Sequence, residues 1–157
     1  PTDIPHLLDA VDSHDAAVGS RYMGGHLRVV DWPLARLILS KGASHYTRWV
    51  TGLPVADPTA GFACFRREVL QHINPSTLVS SGYSFQVELK YRAWMAGFAL
   101  TEIPITFHDR RSGQSKMESS IVTEAMGLIW RIARTNRFRR SPAHPPHPNS
   151  ITQKGTS

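Results

Sequence analysis

The chain of 157 residues is about one domain long, and its 41% hydrophobic content marks a globular protein. No apolar run approaches the ~18 residues of a membrane-spanning helix, no signal peptide opens the sequence, and a single cysteine excludes an intrachain disulfide. The formal net charge of +6 favours anionic partners: phosphates, nucleic acid or an acidic membrane surface.

In chain order, Ile4, Leu7, Leu8 and Val11 form a helical stripe, and AAVGS after it reads as a strand. WPLARLILSKGASHYTRWVTG predicts a helix with Pro33 at its start and Gly52 just past its end. Leu34, Leu37, Ile38, Tyr46, Trp49 and Val50 make one apolar face of it, with Arg36, Ser40 and Thr47 near the other. Gly61 to Phe65 reads as a buried strand, with Cys64 a buried thiol, running into a short helix from Arg66 to His72. Ser84 to Ala96 predicts a helix closed by Gly97, and Ala99 to Phe107 a strand that Pro104 pushes toward an edge or a bulge. A last helix spans Ser119 to Arg134, and residues 139–157 form a tail rich in Pro, Ser and His that reads as disordered, leaving 1–138 as the folded domain. Alternating helices and strands argue an α/β layered fold.

Two clusters carry phosphate chemistry. In RRSGQSKM, Ser115 stands three residues before Glu118, a capping-box spacing that delivers the chain into a helix N-terminus. Arg110, Arg111 and Lys116 gather where free amides and the helix dipole favour an anion, and Gly113 permits close approach of the backbone; a solvated basic turn is the plainer alternative. In the second cluster Arg21 follows a strand end, where α/β folds place ligands. Arg36 and Ser40 are four apart on one helix, so one phosphate could accept hydrogen bonds from both; taken singly, Arg36 reads more plainly as a surface charge and Ser40 as a cap or solvent contact.

GSRYMGG, WPLARLILSKGA, DPTAGFACFRREVL, GYSFQVELKYRAWMAGF and EIPITFHDRRSGQSKM, in that order, resemble the polyprenyl-phosphate mannosyltransferases, or dolichyl-phosphate mannose synthases, of glycosyltransferase family two. The resemblance covers roughly residues 1–134. It implies the C-terminal portion of an A-type nucleotide-diphospho-sugar glycosyltransferase fold, a mixed sheet flanked by helices. It also implies transfer of mannose from GDP-mannose to polyprenyl phosphate with inversion, with another nucleotide sugar such as UDP-glucose as the alternative donor. Arg21, Arg36 and Ser40 would hold the acceptor phosphate, and Arg110 and Lys116 the departing diphosphate. Asp57 in DPTAGF matches an acidic position near the reaction centre; it could instead orient an arginine or backbone groups, or cap the turn at Pro58. Gln86 and Glu88 are candidate pocket residues. Ala63 departs from the family, where a basic residue often follows the GF pair.

The family's nucleotide-binding half ends in an Asp-x-Asp metal motif, which is absent from these 157 residues. The chain is therefore expected to begin just after that motif. The divalent metal of the complete enzyme, Mg or Mn, would find its ligands in that other half, with no metal site in this chain and no transfer by this chain alone. The final helix combines Trp130 with Arg131, Arg134, Arg137, Arg139 and Arg140, which suits peripheral contact with the cytoplasmic face of an anionic membrane. A nucleic-acid module would share the positive charge, but the arginines are dispersed and no aromatic stacking platform is apparent, so no nucleic acid partner is expected. An inert fragment stays open as a reading.

Overall fold

A computed structural model describes residues 2–23, 29–30, 34–80, 82–108 and 119–136. Helix α1 (Ile4–Ser13), with a proline in its first turn, buries Leu7 and leads into β1 (Ala16–Ser20). All five residues of β1 are buried, as befits a short strand of small and β-branched side chains at the centre of a sheet. It pairs antiparallel with β3 (Ala63–Phe65) on one side and parallel with β4 (Leu100–Pro104) on the other, giving a mixed sheet of order β3-β1-β4. A second parallel pair joins β2 (Val29–Val30) to β5 (Phe107–His108).

Four more helices flank these strands: α2 (Leu34–Thr51), α3 (Arg67–Ile73), α4 (Gly82–Met95) and α5 (Ser119–Asn136). Helix α4 is buried on most sides. Val87, Tyr91 and Met95 pack with Leu53, Val55, Ile129 and Ile132, while Leu89 and Ala93 pack with Val69, Ile73 and Phe98. The α/β class and mixed sheet are those expected from the sequence.

Three expectations differ. The Ala99–Phe107 strand is broken after Pro104, which removes a ladder donor, and the pairing resumes only at Phe107. The strand around Cys64 is only partly covered, because β3 lies at the edge of the three described strands, and the thiol is half-buried. The largest difference is α2. Its apolar residues Leu34, Ile38 and Trp49 are 70%, 65% and 76% exposed, whereas Ser44, Thr47 and Thr51 are buried. Tyr46 and Val50 of the expected face do pack on the apolar core, while Ser44 meets the polar turn at 56–60, where a small hydroxyl side chain fits. The other two hydroxyls are satisfied locally: Thr47 and Thr51 donate to the carbonyls of Ala43 and Thr47 at 2.8 and 2.6 Å. The proposed tail at 139–157 lies outside the described residues.

Candidate functional site

Strand β1 ends at Ser20 and places Arg21 against the loop that runs from α2 to β3. Asp57 in that loop is fully buried and accepts three hydrogen bonds from Arg21: from Nε at 2.6 Å, Nη2 at 2.8 Å and the backbone amide at 3.2 Å. Such a bidentate, charge-assisted pair fixes the guanidinium plane. Thr59 completes the grip, accepting from Arg21 Nη2 at 3.0 Å while donating to Asp57 at 3.0 Å. Helix α2 closes the arrangement through its hydroxyl stripe: Ser44 lies 3.2 Å from the Thr59 hydroxyl, and Tyr22 donates to Ser40 at 2.7 Å. Arg36 is half-buried one turn before Ser40.

The turn itself is held from beneath by two charges, a half-buried carboxylate and a fully buried ammonium. Glu102 on β4 accepts the amides of Ala56 and Asp57 at 2.7 and 3.0 Å. Lys90 on α4, with no exposed surface, donates to the carbonyls of Pro58, Ala60 and Gln86. A carboxylate thus takes the amides of this loop and an ammonium its carbonyls. Burial pushes the Lys90 pKa down from 10.5 to about 7; Asp57 and Glu102 pull it upward, and Arg21 lowers it further.

Of the residues singled out from sequence, Arg21 and Asp57 are in direct contact, and Ser40 joins them through Tyr22. Gln86 meets this region through its main-chain carbonyl on Lys90. Glu88 is engaged elsewhere, accepting from the Ser80 amide at 3.0 Å and from Arg92 at 2.6 Å, so it ties α4 to the preceding loop. Arg110 and Lys116 lie outside the described residues. Sequence reading missed Tyr22, Ser44, Thr59, Lys90 and Glu102. The signals were present, since Thr59 sits inside DPTAGF and Lys90 interrupts an otherwise apolar helix, but only tertiary pairing gives them meaning.

Among the described residues no group of three or more His, Cys, Asp or Glu could hold a metal ion. Both Asp57 oxygens are engaged by Arg21 and Thr59, so this site does not offer the expected divalent cation a ligand set.

No protein-family model matches the chain. It is 48% identical over 144 residues to the polyprenol monophosphomannose synthase of Mycolicibacterium smegmatis, covering 88% of this chain and 54% of that protein. To the undecaprenyl-phosphate mannosyltransferase of Micrococcus luteus it is 40% identical, covering 83% and 54%. To the dolichol-phosphate mannosyltransferase of Pyrococcus furiosus it is 31% identical, covering 84% and 37%. These relatives are glycosyltransferases by name. Over most of its length the chain is similar to polyprenyl-phosphate mannosyltransferases, and it spans about half the length of the first two relatives.

Proposed function

We propose that the chain supplies the acceptor side of an enzyme that transfers mannose from GDP-mannose to a polyprenyl phosphate. The observation that carries this reading is Arg21, clamped by Asp57 and Thr59 at the end of β1 beside the hydroxyl stripe of α2. With Arg36 and Ser40 it forms the acceptor-phosphate site. A phosphate monoester has a second pKa of ~6 and is largely ionised at neutral pH, so no general base is required.

In this mechanism a phosphate oxygen attacks the anomeric carbon in line as its bond to GDP breaks. The GDP leaves with the electron pair, and the sugar inverts. Arg21, Arg36 and Ser40 position the nucleophile, and Arg110 and Lys116 balance charge on the departing diphosphate. Charge neutralisation by Mg or Mn belongs to the same proposal, with ligands outside the described residues.

The reading includes peripheral contact with the cytoplasmic face of an anionic membrane. No helix among the described residues is long and apolar enough to cross a membrane. The outer stripe of α2 interleaves Leu34, Ile38 and Trp49 with exposed Lys41, His45 and Arg48. Met126 and Trp130 are exposed beside Arg131 and Arg134 on α5, which packs against α2. Apolar side chains mixed with cations on one helix face suit an anionic interface.

The acceptor site is tested by Arg21→Ala and Arg36→Ala in the full-length enzyme. Each removes charge-assisted hydrogen bonds worth about 1.5 to 3 kcal/mol, so KM for polyprenyl phosphate should rise about tenfold or more while that for GDP-mannose changes little. Unchanged constants in both variants would refute the assignment.

A further inference from the structure

The turn at 56–60 holds Arg21 through Asp57 and Thr59 and is itself held by a second, buried cation, Lys90. Lys90 is among the largest side chains with no exposed surface, and it lies on a helix whose neighbouring residues Leu89 and Tyr91 are core. Its three ammonium hydrogens meet three main-chain carbonyls, two of them, Pro58 and Ala60, on the same turn. Between and beside those carbonyls, Thr59 and Asp57 send their side chains to Arg21. One face of the turn is therefore fixed by Lys90 while the other holds the arginine. An aliphatic side chain at position 90 would leave the Pro58 and Ala60 carbonyls without their buried donor, and the turn would have to move to recover one.

We infer that Lys90 is a positioning residue for the acceptor-phosphate site, acting through the carbonyls of Pro58 and Ala60 to hold Asp57 and Thr59 in the orientation that aims Arg21. The inference rests on the acceptor reading of Arg21 proposed above. The groups facing Lys90 are Asp57 on the turn, Arg21 after β1 and Glu102 on β4. Two of these are acidic and one is basic, so the ammonium balances the charge of the cluster.

This arrangement gives activity and stability opposite dependences on pH. The folded-state pKa of Lys90 is about 7, against 10.5 for an unburied lysine. Between those values the unfolded chain binds more protons than the folded one, so unfolding free energy from this group rises with pH. Over the same interval the folded protein loses the ammonium, leaving two donors for three carbonyls. Acceptor binding therefore weakens while the fold becomes more stable. A purely structural lysine would change stability with pH and leave acceptor binding unchanged.

The experiment uses the full-length enzyme and two readouts: binding of a short-chain polyprenyl phosphate in detergent, followed by intrinsic fluorescence, and steady-state rates with both substrates. Lys90→Met should weaken polyprenyl-phosphate binding at least tenfold, leave KM for GDP-mannose within twofold, and abolish the decline in acceptor kcat/KM above pH 7. Lys90→Arg, which keeps the charge at all accessible pH, should shift that decline out of range even if affinity is partly lost. Should Lys90→Met not fold, the wild-type pH profiles of binding and stability, with Lys90→Arg, decide the matter alone. Equal acceptor affinity in wild type and Lys90→Met, or wild-type acceptor binding that does not weaken above pH 7, would overturn the inference. Failure of the wild type to bind polyprenyl phosphate at all would instead overturn the acceptor reading.

Discussion

Asp57 accepts hydrogen bonds from three nitrogen atoms of Arg21 and from the Thr59 hydroxyl. A carboxylate so occupied is suited to orienting a cation, and a phosphate nucleophile has no proton that a base must remove at neutral pH. Asp57→Asn separates the two roles because it preserves size while removing charge. If the role is orientation, KM for polyprenyl phosphate should rise about tenfold with a smaller change in kcat; a general base would instead show kcat falling by orders of magnitude at unchanged KM. The sequence made Arg21 and Asp57 visible as separate candidates, and the option that Asp57 orients an arginine was already contained in the motif. Their pairing across 36 positions was not, because it depends on β1 and the loop before β3 meeting in space.

At the scale of elements, turn and cap residues placed most boundaries well. Gly52 and Gly97, both at positive φ, end α2 and α4 where the sequence puts the stops, since a left-handed conformation favours glycine. The orientation of α2 was not legible, because hydropathy assumes that the buried side of a helix meets an apolar partner. Ser40 and Ser44 instead meet Tyr22 and Thr59, and Thr47 and Thr51 are buried on the same side of the helix. Glu88, a pocket candidate from the sequence, has a buried carboxylate that joins Arg92 on its own helix to the amide of Ser80. Glu88→Ala should lower unfolding free energy by about 1 kcal/mol, since it leaves the Ser80 amide without its acceptor and Arg92 with only its Thr77 partners, while both KM values stay unchanged. A selective rise in either KM at wild-type stability would return Glu88 to the substrate pocket. Denaturant melts alongside kinetics separate these outcomes.

For the whole molecule, the proposal predicts binding to phosphatidylglycerol vesicles that depends on both charge and apolar contact. Raising salt from 0.05 to about 0.5 M should weaken co-sedimentation, because surface electrostatics are screened over a Debye length of about 10 Å at 0.1 M. Ile38→Glu combined with Trp49→Ser should reduce it at all salt concentrations without lowering thermal stability, as both side chains are largely exposed. Equal binding to neutral vesicles, or none to either, would remove the membrane from the account.

The inward hydroxyl stripe of α2 also sets how this helix tolerates sequence drift. In most amphipathic helices the inner positions accept exchange among aliphatic residues of similar volume, and the outer ones exchange among polar residues. Here the inner positions beside Thr59 are confined to side chains no larger than serine or threonine, since a longer one at Ser44 would wedge the helix from the turn that holds Arg21. The outer positions experience no such steric limit. Substitutions at the polar positions should therefore be limited by size, and those at the outer apolar positions only by the character that a membrane contact requires, reversing the pattern by which a surface helix is ordinarily recognised.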